Sequence, residues 1–389
     1  MFRVKSGTSS PSTVTTSSTR TGDTTLPPPP PPPPPRVGAS GPVKPVDAFV
    51  SGTTPRPLGP PPPPPPRPTV GGVGTPVVRP TGVSAPTVTK GKPVLRDDAV
   101  IAPFVAKGVP RGAIKSISDA GFTALQGLEK DRGDAASPHY ATLKAEVGPK
   151  ADLIRAVFAQ GGPHAKSGDA QRVKLAAVLN EGYRADATTV ASYRKQMSVL
   201  TDGRFEPYVK MAHEHLAENT KDYPKAAESA ERIRGLGDED KVAVYKYTQE
   251  KFKPYNRSVL YPLGDTRGDG PVTRDLNTHL DGIAVTRSAL SQLPVFDGTV
   301  YRGDKKKNYN DYVEGAVITR DSFTSTAKKP ESKFDGDAIL EIKTKTGRDI
   351  QGASLKPGEE EVLIPPGATF RVVERDDRGP ILRLKLEEI

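Results

Sequence analysis

The sequence predicts an α+β protein: a helical lobe, then a β core, with a disordered proline-rich arm ahead of both. Three observations carry that prediction. Prolines and Ser/Thr residues crowd into residues 1–97, where both long proline runs lie. Apolar residues then recur at helical spacing as far as about residue 290. After Pro294 the period changes to strand-like alternation. Helices followed by a run of strands is the α+β layout.

The arm, residues 1–97, holds proline runs over 27–35 and 60–66. Such runs favour the extended polyproline II helix, which has no internal hydrogen bonds and builds no core. Each run ends in arginine, Arg36 and Arg67, giving P-x-x-P-x-R patterns such as Pro62, Pro65 and Arg67. An aromatic-lined groove of the SH3 type or a profilin-like protein could bind them. The plainer reading is a stiff, solvated spacer.

Residues 98–204 alternate short apolar clusters with Gly/Pro breaks. Leu153, Ile154, Val157 and Phe158, then Val173, Leu175, Val178 and Leu179, sit at helical spacing. This reads as a mostly helical region of unknown role. From about residue 205 to the end the pattern sharpens into a further unit, 205–389. Asp238 is expected to cap a helix over 241–252, with acidic residues in its first turn. A second helix carries Leu280, Ile283, Ala284, Arg287 and Leu290 on one face, which the arginine interrupts. Strands are expected over 299–302, 316–319, 338–343, 361–364, 369–373 and 381–386. In the last, Leu382, Leu384 and Leu386 alternate with Arg383, Lys385 and Glu387, as in a half-buried strand.

Charge and composition narrow the function. The net charge of +10 is concentrated in the arm, where 11 Lys/Arg face 3 Asp/Glu; the rest carries 45 against 43. A basic tail alone gives only salt-sensitive attraction to anionic surfaces, and no nucleic-acid module accompanies it. The absence of cysteine excludes disulfides, thiolate ligands and a Cys nucleophile. No apolar run approaches the roughly 18 residues of a membrane span. Residues 1–10 lack the apolar core of a secretory signal, so if the protein is exported, the expected route does not use a cleaved signal of that kind. The five histidines are scattered. His213 and His215 stand at i and i+2, on different faces of a helix, and read as surface residues rather than a zinc pair. Arg267-Gly268-Asp269 reads as a turn. Gly71-Gly72-Val73-Gly74 follows no strand and is not a dinucleotide loop.

Three pieces of the β part carry chemistry. They are Tyr301-Arg302-Gly303, Phe323-Thr324-Ser325-Thr326-Ala327, and Glu359-Glu360-Glu361-Val362-Leu363-Ile364-Pro365. Arginine offers a planar donor fork suited to phosphate. A strand serine can orient a carboxylate, and a carboxylate facing a sugar can stabilise positive charge as a glycosidic bond breaks. Two glutamates at i and i+2 share a face on a regular strand, but on a loop entering a strand they approach different parts of a reaction centre.

In order, spacing and flanks, these pieces resemble the R-S-E class of mono-ADP-ribosyltransferases, which includes bacterial toxins, exoenzyme S-like type III effectors and vertebrate ecto-transferases. That class shows an aromatic-Arg-Gly, then F-x-S-T-S, then E-x-E before an apolar pair and proline. The resemblance extends to Tyr247-Thr248 with Asn256, and to Pro366-Gly367-Ala368-Thr369-Phe370, so it covers roughly residues 205–389. Two positions depart from it: Ala327 replaces the last serine, and Leu260 stands where arginine is common.

The resemblance implies a split β core of two sheets around an NAD cleft, with NAD as substrate and no metal. It implies that Arg302 binds NAD and ties the strands, and that Ser325 orients Glu361. Glu361 would stabilise the oxocarbenium ion, and Glu359 would contact an acceptor arginine. Tyr301, Gly303 and Thr326 would belong to the NAD-binding frame, and Phe334 would cover the nicotinamide. The acceptor would be a host protein, reached by a secreted effector delivered into the host cytoplasm. The alternatives are an NAD glycohydrolase, or a degenerate transferase fold acting as a binding module recruited through its polyproline arm.

Overall fold

The computed structural model describes residues 91–263 and 276–389. The arm as far as residue 90, including Gly71 to Gly74, and the Arg267-Gly268-Asp269 turn lie outside the described residues. Among the described residues, twelve α-helices precede eight β-strands.

The first helices are α1 (Asp98–Val105), α2 (Arg111–Ile114), α3 (Asp119–Lys130), α4 (Pro138–Val147), α5 (Lys150–Ala159), α6 (Asp169–Val178) and α7 (Ala187–Val199). Their starts are local events. Ser118 Oγ accepts from the Gly121 N–H at the head of α3, and Ser137 does the same for His139 ahead of Pro138 in α4. Asp186 accepts from the Thr189 N–H at α7. Each bond satisfies one of the backbone donors a helix start leaves free. Residues 91–97, expected to belong to the arm, are anchored here instead. The Gly91 N–H donates to Glu146 at 2.8 Å, and the Arg96 guanidinium bonds Asp119 at 2.6 Å and lies over the Phe122 ring. Specific anchors, not composition, set this boundary.

The second group comprises α8 (Glu206–Asp222), α9 (Ala227–Arg234), α10 (Asp238–Lys246), α11 (Phe252–Leu260) and α12 (Leu276–Leu290). The helix expected over 241–252 is α10 followed by a π-helical turn, Tyr247–Lys251. Asp238 is the first residue of α10 rather than its cap. The cap is Gly237, and Asp238, Glu239 and Asp240 all sit in the first turn, where the helix dipole favours acids.

The strands are β1 (Gly298–Asp304), β2 (Val317–Arg320), β3 (Thr324–Ala327), β4 (Ala338–Thr344), β5 (Arg348–Asp349), β6 (Glu361–Ile364), β7 (Ala368–Asp376) and β8 (Leu382–Glu388). They run in the order β2-β7-β8-β4-β1-β3-β6-β5, antiparallel except for β4 with β8. One register pair, Tyr301 with Ala327, joins β1 to β3. The split of the β core is this pinch: five strands on one side and three on the other, hydrogen-bonded through a single point.

Two cores meet at β6. Val362 and Ile364 pack in the sheet core with Val300, Leu340, Phe370 and Leu384. Leu363, pointing the other way by strand alternation, joins the helical core with Val244, Tyr247 and Phe323. Glu361 shares the Leu363 face and so looks toward the helices. The region 98–204 belongs to the same helical core: Leu175 and Val178 cluster with Leu280, Ile283 and Ala284 of α12. Arg287, the polar interruption on α12, is buried and donates to the Asn180 carbonyl at 2.9 Å. Burial, with Arg348 nearby, lowers its pKa to about 10.

The turn after β6 is locked to this helical region. Gly367 has φ of +90°, and a Cβ there would lie 1.9 Å from the Leu179 carbonyl oxygen. The position requires both a left-handed backbone and the absence of a side chain. Gly367→Ala is therefore expected to destabilise the fold by about 2–4 kcal/mol, read as a lower midpoint in denaturant at an unchanged slope. An unshifted midpoint would mean that the turn and α6 are free to separate.

Candidate active site

The cleft between the helices and the sheet encloses about 750 Å³, within the usual range for ligand sites. Five of the predicted residues line it: Arg302, Ser325, Phe334, Glu359 and Glu361. Tyr301, Gly303 and Thr326 are not among its lining residues. Strand alternation explains this, since each neighbours a residue that does line the cleft. Thr326 donates to the Val362 carbonyl at 2.6 Å, and Tyr301 forms the pinch with Ala327. Gly303 has a different duty. A Cβ there would stand 1.6 Å from the Phe334 carbonyl oxygen, so glycine lets the 334 loop cross β1. That loop carries the exposed Phe334 ring at the cleft.

Glu361 opens β6 and is 8% exposed. Its Oε1 accepts from Ser325 Oγ at 2.7 Å, and its Oε2 from Ser354 Oγ at 2.8 Å. Burial is the largest influence on the carboxyl and pushes its pKa up. The two serine hydroxyls and Arg302 pull it down, and Glu359 adds to the rise. The net shift is upward from the ordinary glutamate value. The Tyr247 phenol, buried against the cleft, is pushed up as well, by burial first and then by the Glu361 charge.

Arg302 extends from β1 across the pinch. Its Nη1 donates to the Ser325 carbonyl at 2.8 Å and its Nε to Asp304 at 3.2 Å. Asp304 also accepts from the Tyr309 hydroxyl at 2.6 Å. Burial acts to raise the Asp304 pKa, but Arg302, Tyr309 and the Lys305 N–H outweigh it and hold the carboxyl low. The guanidinium thus ties two strands together while its remaining edge faces the cleft.

The two glutamates follow the loop geometry, not the strand geometry. Glu359 ends a 3₁₀ turn, Pro357–Glu359, and Glu360 takes a left-handed φ of +50° before β6 begins. Lys329 holds the Glu360 carboxylate at 2.6 Å. The kink separates Glu359, at the rim with Lys356 at 3.3 Å, from the buried Glu361.

Ser354, Asp304 and Arg320 are among the lining residues that sequence reasoning missed. Ser354 lies seven positions before Glu361, outside any motif. Asp304 directly follows Arg302-Gly303, and a carboxylate beside a strand arginine was an available signal. Arg320 ends β2, where its guanidinium donates to Thr324 Oγ1 at 3.0 Å and to the Tyr312 hydroxyl at 3.3 Å. His215 is also more than a surface residue. Its Nε2 lies 3.2 Å from the carbonyl oxygens of both Ala353 and Ser354.

The raised Glu361 pKa has a consequence for stability. A carboxyl whose folded value exceeds its unfolded value supports folding below the unfolded value. That support is lost as pH rises through the folded value. At pH 7, above the ordinary glutamate value, Glu361 therefore opposes folding. Glu361→Gln is expected to raise the melting temperature at pH 7, with the gain shrinking as pH falls toward the ordinary glutamate value and gone below it. A melting temperature at pH 7 equal to or below wild type would contradict this electrostatic assignment.

The model of the NAD:arginine ADP-ribosyltransferase family matches residues 209–389. Vis of Vibrio splendidus is 30% identical over 174 residues, covering 41% of this chain and 68% of that protein. The NAD(+)–protein-arginine ADP-ribosyltransferase Tre1 of Serratia proteamaculans is 28% identical over 157 residues, covering 40% of this chain and 33% of Tre1. The chain spans 17% and 33% of the length of the first two curated relatives it matches. Among solved structures, the type III effector XopAI of Xanthomonas axonopodis pv. citri aligns at a TM-score of 0.41 and 21% identity, covering 53% of this chain and 90% of that one. On the family match and the similarity to Vis, the chain belongs to the NAD:arginine ADP-ribosyltransferase family.

Proposed function

We propose that the protein cleaves NAD and transfers ADP-ribose to an arginine of another protein. The observation that carries this reading is the buried Glu361 carboxylate, gripped through both oxygens beside Arg302 in a dinucleotide-sized cleft. Membership of the family supports it.

In this reading Arg302 and the cleft's other cations, Arg320 and Arg257 among them, hold the diphosphate. Glu361 accepts a hydrogen bond from the hydroxyl of the nicotinamide-bearing ribose. The bond between the ribose anomeric carbon and nicotinamide breaks, and its electron pair leaves with nicotinamide. The ribose is left as an oxocarbenium ion, whose positive charge the fixed carboxylate stabilises. A guanidinium nitrogen of the acceptor then supplies the electron pair of the new bond and gives up a proton. Arginine is a poor nucleophile while protonated, since its pKa exceeds 12. Glu359, at the rim and carried on a separate turn, is placed to bind that cation and take the proton. Water in place of the guanidinium gives NAD hydrolysis, which needs Glu361 but not Glu359.

The proposal extends to delivery as a bacterial effector into a host cell, and to SH3-type or profilin-like partners of the arm. The Ser/Thr- and Pro-rich composition of residues 1–97 supports both.

The two glutamates give the test. Glu359→Gln keeps shape and hydrogen bonding but removes charge and basicity. It is expected to lose most protein labelling while NAD hydrolysis persists. Glu361→Gln is expected to lose both, by about 10²–10³ or more. Nicotinamide release and protein labelling are measured in parallel. Equal loss of both activities in the Glu359 variant would argue against separate roles, and unchanged labelling would point to a different acceptor group.

A further inference from the structure

Ser325 satisfies only one oxygen of the Glu361 carboxylate. The other accepts from Ser354, which is 2% exposed and reaches Glu361 from a different segment. Ser354 follows a 3₁₀ turn, Gln351–Ala353, in which the backbone of Gly352 and Ala353 is fastened to the helical lobe. Asn219 of α8 donates to the carbonyls of Gly352 and Ser354, each at 2.9 Å. Thr248 donates to the Ala353 carbonyl at 2.7 Å. The Gly352 N–H donates to Ser229 at 3.2 Å. Gly352 also lies so close to α9 that a Cβ would stand 2.4 Å from the Ala230 backbone. The Ser354 backbone therefore belongs to the helical lobe, while its hydroxyl serves the sheet.

A carboxylate held by one donor still turns about its last torsion, which has a broad profile. A second donor on the other oxygen stops that turn. Each oxygen keeps lone-pair capacity, because a carboxylate has about four acceptor sites. We infer that Ser354 is a positioning residue for the reaction: together with Ser325 it fixes the plane of the Glu361 carboxylate, and it makes that plane depend on the seating of the helical lobe. Ser354 Oγ also accepts from the Lys356 N–H at 3.3 Å, so the same hydroxyl touches the start of the turn that carries Glu359. The inference rests on the reading of Glu361 as the group that assists NAD cleavage.

The test uses the full chain with Ser354→Ala, and Ser354→Thr as the variant that restores a hydroxyl. Loss of one hydrogen bond to a charged group predicts a fall in kcat of about tenfold for nicotinamide release, with KM for NAD little changed. The acid limb of the kcat profile is expected to move to higher pH, because a donor to the ionised form is gone. The charged and titratable groups facing Glu361 are Glu359, Arg302 and Tyr247, and all remain in the variant. A purely structural serine would lower the melting temperature without moving that limb. In parallel, ¹³C NMR follows the titration of the Glu361 carboxyl itself, whose midpoint is expected to rise in Ser354→Ala and to return toward wild type in Ser354→Thr. An unchanged midpoint and an unchanged acid limb in folded Ser354→Ala would overturn the inference. Absence of nicotinamide release from wild type would instead overturn the functional reading, and the carboxyl titration would still decide whether Ser354 holds Glu361.

Discussion

Burying a carboxyl group is costly to its charged form unless that form is paired and hydrogen-bonded, and the fold is arranged around one such group. Glu361 is kept from water at the seam between two cores, with a hydroxyl on each oxygen and Arg302 nearby. Those partners come from three separate segments: β1, β3 and the turn before Ser354. Aligning them requires the sheet pinch, the helical lobe and the 354 turn to hold their places together. The upward shift of the Glu361 pKa shows that the partners do not fully offset burial. That residual cost is the kind of local conflict expected where function constrains a site.

The pinch has a specific role in this arrangement. Where β1 and β3 share a single register pair, Arg302 supplies a side-chain bridge by donating to the Ser325 carbonyl. The same side chain therefore closes the sheet and presents positive charge to the cleft. Ala327 sits at that pair, 2% exposed, opposite both Tyr301 and Glu361. Its missing hydroxyl does not touch the Glu361 carboxylate, whose two donors are Ser325 and Ser354. The departure from the S-T-S pattern at this position leaves the carboxylate's grip intact.

Much of this was legible in the sequence because the strands alternate strongly. The 361–364 strand coincides with β6, and the Leu382, Leu384, Leu386 face of β8 is buried as its period required. Arg302, Ser325 and Glu361 could be placed together because their motifs are short and ordered. The missed features have no periodic signal. The two-residue β5 is too short to show a period. The π-turn at Tyr247–Lys251 interrupts a pattern that otherwise reads as one helix. Ser354 gains its role from the bonds that Asn219 makes to its own carbonyl and Thr248 to that of Ala353, each more than 100 positions away in the chain. Tyr301, Gly303 and Thr326, which the family resemblance puts in the NAD frame, flank cleft-lining residues, and strand alternation turns such neighbours to opposite faces.

In the proposed reaction a fixed carboxylate in this cleft assists cleavage of the nicotinamide bond of NAD, and the ribose passes to a guanidinium. The most direct measurement incubates the purified full chain with NAD and a small guanidino compound at neutral pH, then identifies the products by mass spectrometry. Free nicotinamide is expected, together with ADP-ribose joined to the guanidino nitrogen. Folded wild-type protein that leaves NAD uncleaved under these conditions would contradict it.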